Sequence, residues 1–130
     1  MIRRAGAALV AMACAGPLFA QVVERPSAWE GDGVQDTGSS WTIAIEFDHF
    51  EVVRISYPSL GCSGLLERIG TSVAGGGRYL EVITDDPDQT CINGGFVELN
   101  NMPDKTIEYL WFYPNRPNSP GGSGIVARVD

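Results

Sequence analysis

The feature that most constrains the fold is an alternation of large apolar residues with smaller or polar ones. Trp41, Ile43, Ile45 and Phe47 fall on one face of an extended chain, and the intervening residues fall on the other. Successive side chains of a β-strand point to opposite faces, so this period of two predicts a half-buried strand. No segment sustains a helical period, and the chain is therefore predicted to be all-β.

Six further segments have the same character and are separated by turn-forming residues. In chain order, the additional predicted strands are 50–57, 62–69, 78–84, 95–100, 106–113 and 124–129. Strands that recur every 8 to 15 residues or so, with short turns between them, favour an antiparallel meander that forms a barrel or a sandwich of about seven to eight strands. We expect one such domain over residues 41–130, preceded by a flexible arm at 21–40.

The first 20 residues have the composition of a secretory signal peptide. Arg3 and Arg4 precede a short apolar run, and Ala20 provides a small residue before a cleavage site. The run is too short to span a bilayer. A lipoprotein alternative, in which cleavage precedes an acylated Cys14, stays open. The sequence therefore predicts a periplasmic or secreted protein with no membrane span.

Removal of that segment leaves two cysteines, Cys62 and Cys91. In an oxidising compartment, such a pair predicts one structural disulfide. Metal binding and thiol catalysis are the alternatives, but the wide spacing matches no zinc motif and the chain has no Cys-x-x-Cys. In the chain-entropy model, a bridge that closes a loop of about 30 residues stabilises the fold by roughly 3.5 kcal/mol.

The chain is acidic. The sequence has 16 acidic and 9 basic residues, and removal of Arg3 and Arg4 leaves 16 against 7, a net charge of −9. Proteins that bind nucleic acids use clustered lysines and arginines, so we expect no nucleic-acid partner. A negative field attracts cations, and a small secreted inhibitor of a cationic enzyme such as a lysozyme is therefore one possible function.

The cysteines belong to a longer series of motifs. In chain order these are Tyr57-Pro58-Ser59-Leu60-x-Cys62-x-Gly64, Tyr79-x-Glu81-x-Ile83, Cys91-x-x-Gly94-Gly95-x-Val97-x-Leu99 and Tyr109-x-Trp111. Together they resemble a family of small exported bacterial β domains of unknown function, which occur alone or appended to larger extracytoplasmic proteins. The resemblance covers about 80 residues, 50–129. It implies a β domain bridged from Cys62 to Cys91 and carries over no catalytic residue.

Catalytic candidates are few. His49 follows Asp48 in a predicted turn, but no Gly-x-Ser-x-Gly motif accompanies it. Five glutamates on predicted strands are candidates for a glycosidase-like carboxylate pair: Glu46, Glu67, Glu81, Glu98 and Glu108. Such residues usually mark the solvated faces of strands. We therefore expect no catalytic residue, and a hydrolase remains the third alternative.

The segment Asp85-Asp86-x-Asp88 groups oxygen ligands of the kind that calcium prefers. It lacks the EF-hand pattern, and Pro87 among aspartates is typical of a β-turn. We therefore predict a turn, with no metal site and no cofactor.

The predicted strand 106–113 is apolar on both faces. Tyr109 and Trp111 belong to the face that is expected to enter the core, and the other face would be an exposed patch beside a loop at 114–124. Alternatively, the arm at 21–40 covers that patch with Trp29. The predicted binding residues are Leu110, Phe112, Tyr113 and Arg116. The preferred interpretation is a non-catalytic binding module for a protein or glycan of the cell envelope or extracellular space.

Overall fold

The computed structural model describes residues 26–49 and 52–130 as an all-β fold. Eight strands follow one another along the chain: β1 (Ser27–Gln35), β2 (Ser40–His49), β3 (Val52–Tyr57), β4 (Cys62–Thr71), β5 (Gly77–Asp85), β6 (Phe96–Asn101), β7 (Ile107–Phe112) and β8 (Gly122–Arg128). Each strand pairs antiparallel with the next, and β8 pairs with β1, so the sheet closes into a barrel. The predicted fold class is confirmed, and the barrel is the alternative that forms.

The predicted flexible arm at 21–40 is wrong for residues 27–35, which form β1 and close the barrel. Gly31 lies opposite Ile43 of β2 on one side and Val126 of β8 on the other. β1 was not predicted from the sequence because Gly31 and Gly33 occupy inward positions that are normally apolar in a strand. The signal peptide, its cleavage site and Cys14 lie outside the described residues.

The core fills the barrel interior with side chains from alternate positions of the strands. Its fully buried members include Tyr109, Leu66 and aliphatic residues of β2, β3, β6 and β8: Ile43, Ile45, Ile55, Val97 and Val126. In most strands one face enters the core while the other meets solvent, which explains the alternation in the sequence. Within the described part of the chain, no helix is long and apolar enough to cross a membrane.

Four connections lie at one end of the barrel, which we call the mouth. They are residues 36–39, 58–61, 86–95 and 113–121. The disulfide joins Cys62, at the start of β4, to Cys91 in the loop 86–95, with a Cα–Cα distance of 6.5 Å. The predicted bridge is thereby confirmed, and it fixes part of the mouth. Residues 72–76 and 102–106 turn at the opposite end.

The outer face of β7 is covered, and the prediction that Phe112 is exposed is wrong. Phe112 is 3% exposed. The guanidinium of Arg78 lies 4.8 Å from its ring centroid and 5.0 Å from that of Phe96, and Arg78 Nη2 donates to the backbone oxygen of Pro117 at 2.6 Å. The cover is thus an arginine of β5 together with the loop 113–121, because β5 and β7 lie on either side of β6 in the sheet.

The alternative cover, Trp29 of the predicted arm, is also wrong. Trp29 lies on β1 and packs against the core. Its indole nitrogen donates to Ser27 Oγ at 3.1 Å, near the end of the barrel that is opposite the mouth. Leu110 is half-buried on the outer face of β7, opposite Glu98 in the pairing register.

Candidate functional site

A cavity of about 90 Å³ opens at the mouth of the barrel. Its lining consists of four aromatic side chains of the strands, two polar side chains of the strands and four residues of the loops 58–61 and 86–95. These are Trp41, Tyr57, Tyr109 and Trp111, then Gln35 and Glu81, then Leu60, Thr90, Cys91 and Ile92. Few polar groups among many aromatic ones are typical of ligand sites in proteins. This cavity is the candidate functional site.

The floor of the cavity is a hydrogen-bonded cluster around Glu81, which is 1% exposed. Trp111 Nε1 donates to Glu81 Oε1 at 3.1 Å, and the Tyr57 hydroxyl donates to Glu81 Oε2. The Tyr57 and Tyr109 hydroxyl oxygens lie 2.6 Å apart. Because the Tyr57 proton points to Glu81, the Tyr109 hydroxyl is the donor of that last bond.

Burial governs the protonation of this cluster. It raises the pKa of Glu81, against the opposing effect of the hydrogen bonds from Tyr57 and Trp111. Burial, with the neighbouring carboxyl, also raises the pKa of both Tyr57 and Tyr109 well above the ordinary value. Both tyrosines therefore keep their protons at neutral pH and serve as hydrogen-bond donors.

Aromatic rings form the walls of the cavity. The ring of Trp41 meets that of Tyr57 edge-to-face at 6.5 Å between centroids, and Tyr57 meets Tyr109 in the same way at 6.4 Å. Two inward glycines make room for Trp41, since a Cβ atom at Gly33 or Gly122 would lie 2.9 Å or 2.7 Å from the indole ring. The glycines of β1 and β8 thus position a tryptophan of β2 at the mouth.

The rim of the mouth contains two of the four predicted binding residues, Tyr113 and Arg116. Gln35 Nε2 donates to the Tyr113 hydroxyl at 2.6 Å, and that hydroxyl donates to Asp36 at 3.3 Å. Arg116 lies over the Tyr113 ring at 4.4 Å and pairs with Asp36 at 3.5 Å. The other two, Leu110 and Phe112, lie on the outer wall of the barrel and do not line the cavity.

The loop 86–95 is held by its own aspartate. The Asp86 carboxylate accepts hydrogen bonds from the backbone nitrogens of Thr90 and Cys91 at 2.9 and 3.1 Å. Partial burial opposes ionisation, but these hydrogen bonds outweigh it and lower the pKa of Asp86. Asp86 also lies close to the sulfurs of Cys62 and Cys91. Since those sulfurs are bonded to each other, they are not available as metal ligands. The predicted turn forms at 86–89, where the backbone nitrogen of Gln89 donates to the backbone oxygen of Asp86 at 3.1 Å.

The predicted carboxylate pair is not brought together at the cavity, where Glu81 is the one carboxylate among the described lining residues. Glu46 and Glu67 are exposed on the outer wall, and Glu98 pairs with Arg78 at 2.6 Å. Glu108 accepts a hydrogen bond from Asn100 Nδ2 at 3.2 Å. The side chain of His49 lies outside the described part of the structure.

Glu81 is one of five glutamates that were expected on solvated strand faces, and its burial was not predicted, although a signal for it exists. Glu81 alternates with Tyr79 and Ile83 on one face of β5, so it is in phase with residues that enter the core. A carboxylate on the apolar face of a strand is expected to be buried, and a buried carboxylate needs hydrogen bonds or a counter-charge. Such a residue is therefore a candidate for a functional site.

Comparisons with known proteins do not assign the chain, because no family model, curated protein or solved structure matches it. The resemblance between its motifs and an exported bacterial domain stays a prediction. The interpretation of the cavity therefore depends on its geometry.

Proposed function

We propose that the protein is an exported, non-catalytic binding module that recognises a protein or glycan of the cell envelope or extracellular space through the mouth of the barrel. The observation that supports this function best is the cavity with aromatic walls and a buried polar floor. Its volume of about 90 Å³ is enough for one small functional group and too small for a whole metabolite of ordinary size. A side chain or sugar substituent that projects from a larger partner fits these dimensions.

The mouth is built to keep its shape. The disulfide joins Cys91 to β4, and Thr90 Oγ1 donates to the backbone oxygen of Leu60 at 2.6 Å, which links two of the loops. The backbone nitrogen of Asp36 donates to the backbone oxygen of Gly121 at 2.8 Å, and the Tyr113 hydroxyl donates to Asp36 at 3.3 Å, which links the other two. A surface that is ordered before binding loses less conformational entropy when the partner arrives, and this favours recognition.

The mouth has exposed apolar surface that a bound partner would bury. Ile92 is 45% exposed and belongs to the lining of the cavity. Aromatic residues with a polar tip, such as Trp41 and Tyr113, are enriched in binding sites because one end is apolar and the other forms hydrogen bonds.

A second candidate function is inhibition of a cationic enzyme such as a lysozyme, and the acidic loop at the mouth favours it. Asp85 and Asp88 are exposed beside the loop end that carries Cys91. A cationic enzyme would be attracted to this edge, and its binding would weaken steeply with salt. Absence of inhibition at low ionic strength, tested on lysozymes of high isoelectric point, would rule this candidate out.

The binding function is tested with two matched surface variants. Ile92→Arg places a charge at the mouth, and Val73→Arg places the same charge on a fully exposed residue at the opposite end. Neither change disturbs the core, so both variants should fold. We expect partners captured from an envelope extract by the wild type to be retained by Val73→Arg and lost by Ile92→Arg. Equal recovery by the two variants would contradict recognition through the mouth.

A further inference from the structure

We infer that the cavity at the mouth is a binding site for an organic cation, an alkylammonium or guanidinium group that pairs with Glu81 between the aromatic walls. The inference rests on the proposed function and names the chemistry that the mouth recognises. The cation is either a free amine or the side chain of a lysine or arginine in a partner, since both present the same group.

The first argument is the charge of Glu81. Its carboxyl group is buried, and no lysine or arginine within residues 26–49 and 52–130 forms an ion pair with it. Each carboxylate oxygen accepts one hydrogen bond, from Trp111 or Tyr57, and has a second lone pair to offer. A buried carboxylate without a counter-charge is energetically costly. A proton relieves this cost, which is why burial raises the pKa of Glu81, and a bound cation would relieve it in competition with that proton.

The second argument is the hydrogen-bonding character of the lining. The protons of Tyr57, Trp111 and Thr90 are directed to protein acceptors. The Tyr109 hydroxyl is hydrogen-bonded to Tyr57, and the Trp41 side chain is hydrogen-bonded to Tyr109. The amide nitrogen of Gln35 donates one of its two protons to Tyr113, and its carbonyl oxygen is available to a ligand as an acceptor. The lining therefore offers more unused acceptor positions than unused donor protons, and this favours a ligand that donates hydrogen bonds. Ammonium and guanidinium groups are donors without any acceptor.

The third argument is the aromatic wall. Four aromatic residues line the same cavity as Glu81: Trp41, Tyr57, Tyr109 and Trp111. The faces of tryptophan and tyrosine rings attract cations, and cages of such rings are the usual way in which proteins bind substituted ammonium groups. An anion would gain nothing from these faces and would be repelled by Glu81. A neutral group would gain contact area but no charge pairing.

The dimensions and the opening agree with such a ligand. A cavity of about 90 Å³ that is open to solvent at the mouth holds one ammonium or guanidinium group with the first carbons of its chain. The rest of the chain would leave past Ile92 and Leu60, which line the same cavity. This path allows the cation to be attached to a macromolecule.

The experiment observes the indole N–H signals of the protein by heteronuclear NMR. The Trp41 and Trp111 indoles line the cavity, whereas the Trp29 indole donates to Ser27 near the opposite end and serves as an internal control. Butylammonium and ethylguanidinium are titrated as probes, and 1-butanol is the uncharged counterpart of the first. We expect both cations to shift the Trp41 and Trp111 signals in a saturable manner, with Trp29 unmoved and 1-butanol without effect.

Variants then test the role of the charge. Glu81→Gln keeps an acceptor for Trp111 and removes the charge, and Glu67→Gln makes the same change on the exposed outer wall. We expect affinity for butylammonium to fall by about tenfold or more in Glu81→Gln, which is the effect of losing one charged hydrogen bond, and to stay unchanged in Glu67→Gln. The comparison with 1-butanol needs only the wild type, so the test survives if Glu81→Gln does not fold.

Two results would overturn the inference: equal shifts with 1-butanol and butylammonium, or no saturable shift with either cation. A peptide that contains one lysine, compared with the same peptide bearing acetyl-lysine, separates a protein-borne cation from a free amine. The outcome is independent of the capture experiment. Loss of partners in Ile92→Arg without any cation binding would sustain the binding function and refute the cation site, and cation binding without captured partners would do the reverse.

Discussion

The hydroxyl of Tyr57 on β3 donates a hydrogen bond to the buried carboxyl group of Glu81 on β5, across the interior of the barrel. β4 lies between these two strands in the sheet, so the bond joins strands that do not pair with each other. Tyr109 and Trp111 extend the same cluster to β7. The polar floor of the cavity therefore also braces the barrel.

The first prediction concerns this brace. Tyr57→Phe removes the donor to Glu81 and the acceptor of Tyr109, while the ring and its packing are kept. Buried polar groups then lose their partners, and we expect the free energy of unfolding to fall by about 1–3 kcal/mol. Urea unfolding at pH 7 measures the change. Tyr113→Phe is the matched control, because its hydroxyl lies at the half-buried rim, and a smaller loss is expected there. Equal losses in the two variants would contradict the bracing role.

The second prediction concerns pH. Burial raises the pKa of Glu81 above its ordinary value of 4.5, against the hydrogen bonds from Tyr57 and Trp111. Just above pH 4.5 the folded chain therefore keeps a proton that the unfolded chain releases. The contribution of Glu81 to stability is thus greatest below that pH and is lost as pH rises through the raised pKa of the folded state.

The measurement compares the wild type with Glu81→Gln across this range. The comparison is needed because Asp86 and Asp104 have lowered pKa values and act in the opposite sense, their contribution being lost as pH falls. These aspartates are present in both proteins and cancel in the difference. We expect the stability of the wild type relative to Glu81→Gln to decline as pH rises. A difference that is independent of pH would contradict the assignment.

The strands could be predicted from the sequence because, in most strands of this barrel, apolar residues that face the interior alternate with residues on the outer wall. All seven predicted strands exist, and each of their bounds lies within two residues of the one observed. β1 was missed since Gly31 and Gly33 occupy inward positions where an apolar residue would have revealed the alternation. The structure shows why a glycine is needed at position 33, because the ring of Trp41 on β2 occupies the space that a side chain there would fill.

The site was harder to predict than the fold. Glu81 is separated by 24 residues from Tyr57 and by 30 from Trp111, so only the order and register of the strands bring them together. The same holds for Phe112, whose cover by Arg78 depends on pairing through β6. The periodicity of a single strand shows which face is apolar, but it contains no information on which neighbour covers that face.

The third prediction compares a covered ion pair with an exposed one. Arg78 pairs with Glu98 at 2.6 Å, and the two side chains are 20% and 9% exposed. Arg78→Leu leaves the buried Glu98 without its counter-charge, so we expect a loss of about 2–4 kcal/mol in urea unfolding. The control, Arg54→Leu, breaks an exposed pair with Asp48 and should cost less than about 1 kcal/mol.

A double-mutant cycle identifies the source of that loss. In the Glu98→Gln background, Arg78→Leu no longer leaves a buried charge without its partner, and its effect on the free energy of unfolding should be much smaller. An unchanged effect in that background would show that Arg78 acts through its contacts with the aromatic rings rather than through the ion pair.

The fourth prediction concerns the disulfide. Cys62 and Cys91 are 29 residues apart, and the entropy of closing such a loop predicts that reduction lowers the free energy of unfolding by roughly 3.5 kcal/mol. Urea unfolding with and without a phosphine reductant measures this difference. The double variant Cys62→Ser/Cys91→Ser should unfold at the lower value and show no response to the reductant. Detection of two free thiols in the unreduced, denatured protein would contradict the bridge.

The last prediction tests how the barrel closes. A Cβ atom at Gly31 of β1 would overlap the backbone oxygen of Ile125 on β8, and backbone cannot give way as a flexible side chain can. Gly31→Ala should therefore push β1 from β8 and lower the stability by about 1–3 kcal/mol. Gly70→Ala is the control, since nothing lies within 4 Å of the added atom. Hydrogen exchange gives the decisive readout, because a weakened seam exposes the amides of β1 and β8 before those of the other strands. If protection falls evenly over all eight strands, the substitution has destabilised the barrel as a whole and the seam is not the element that Gly31 protects.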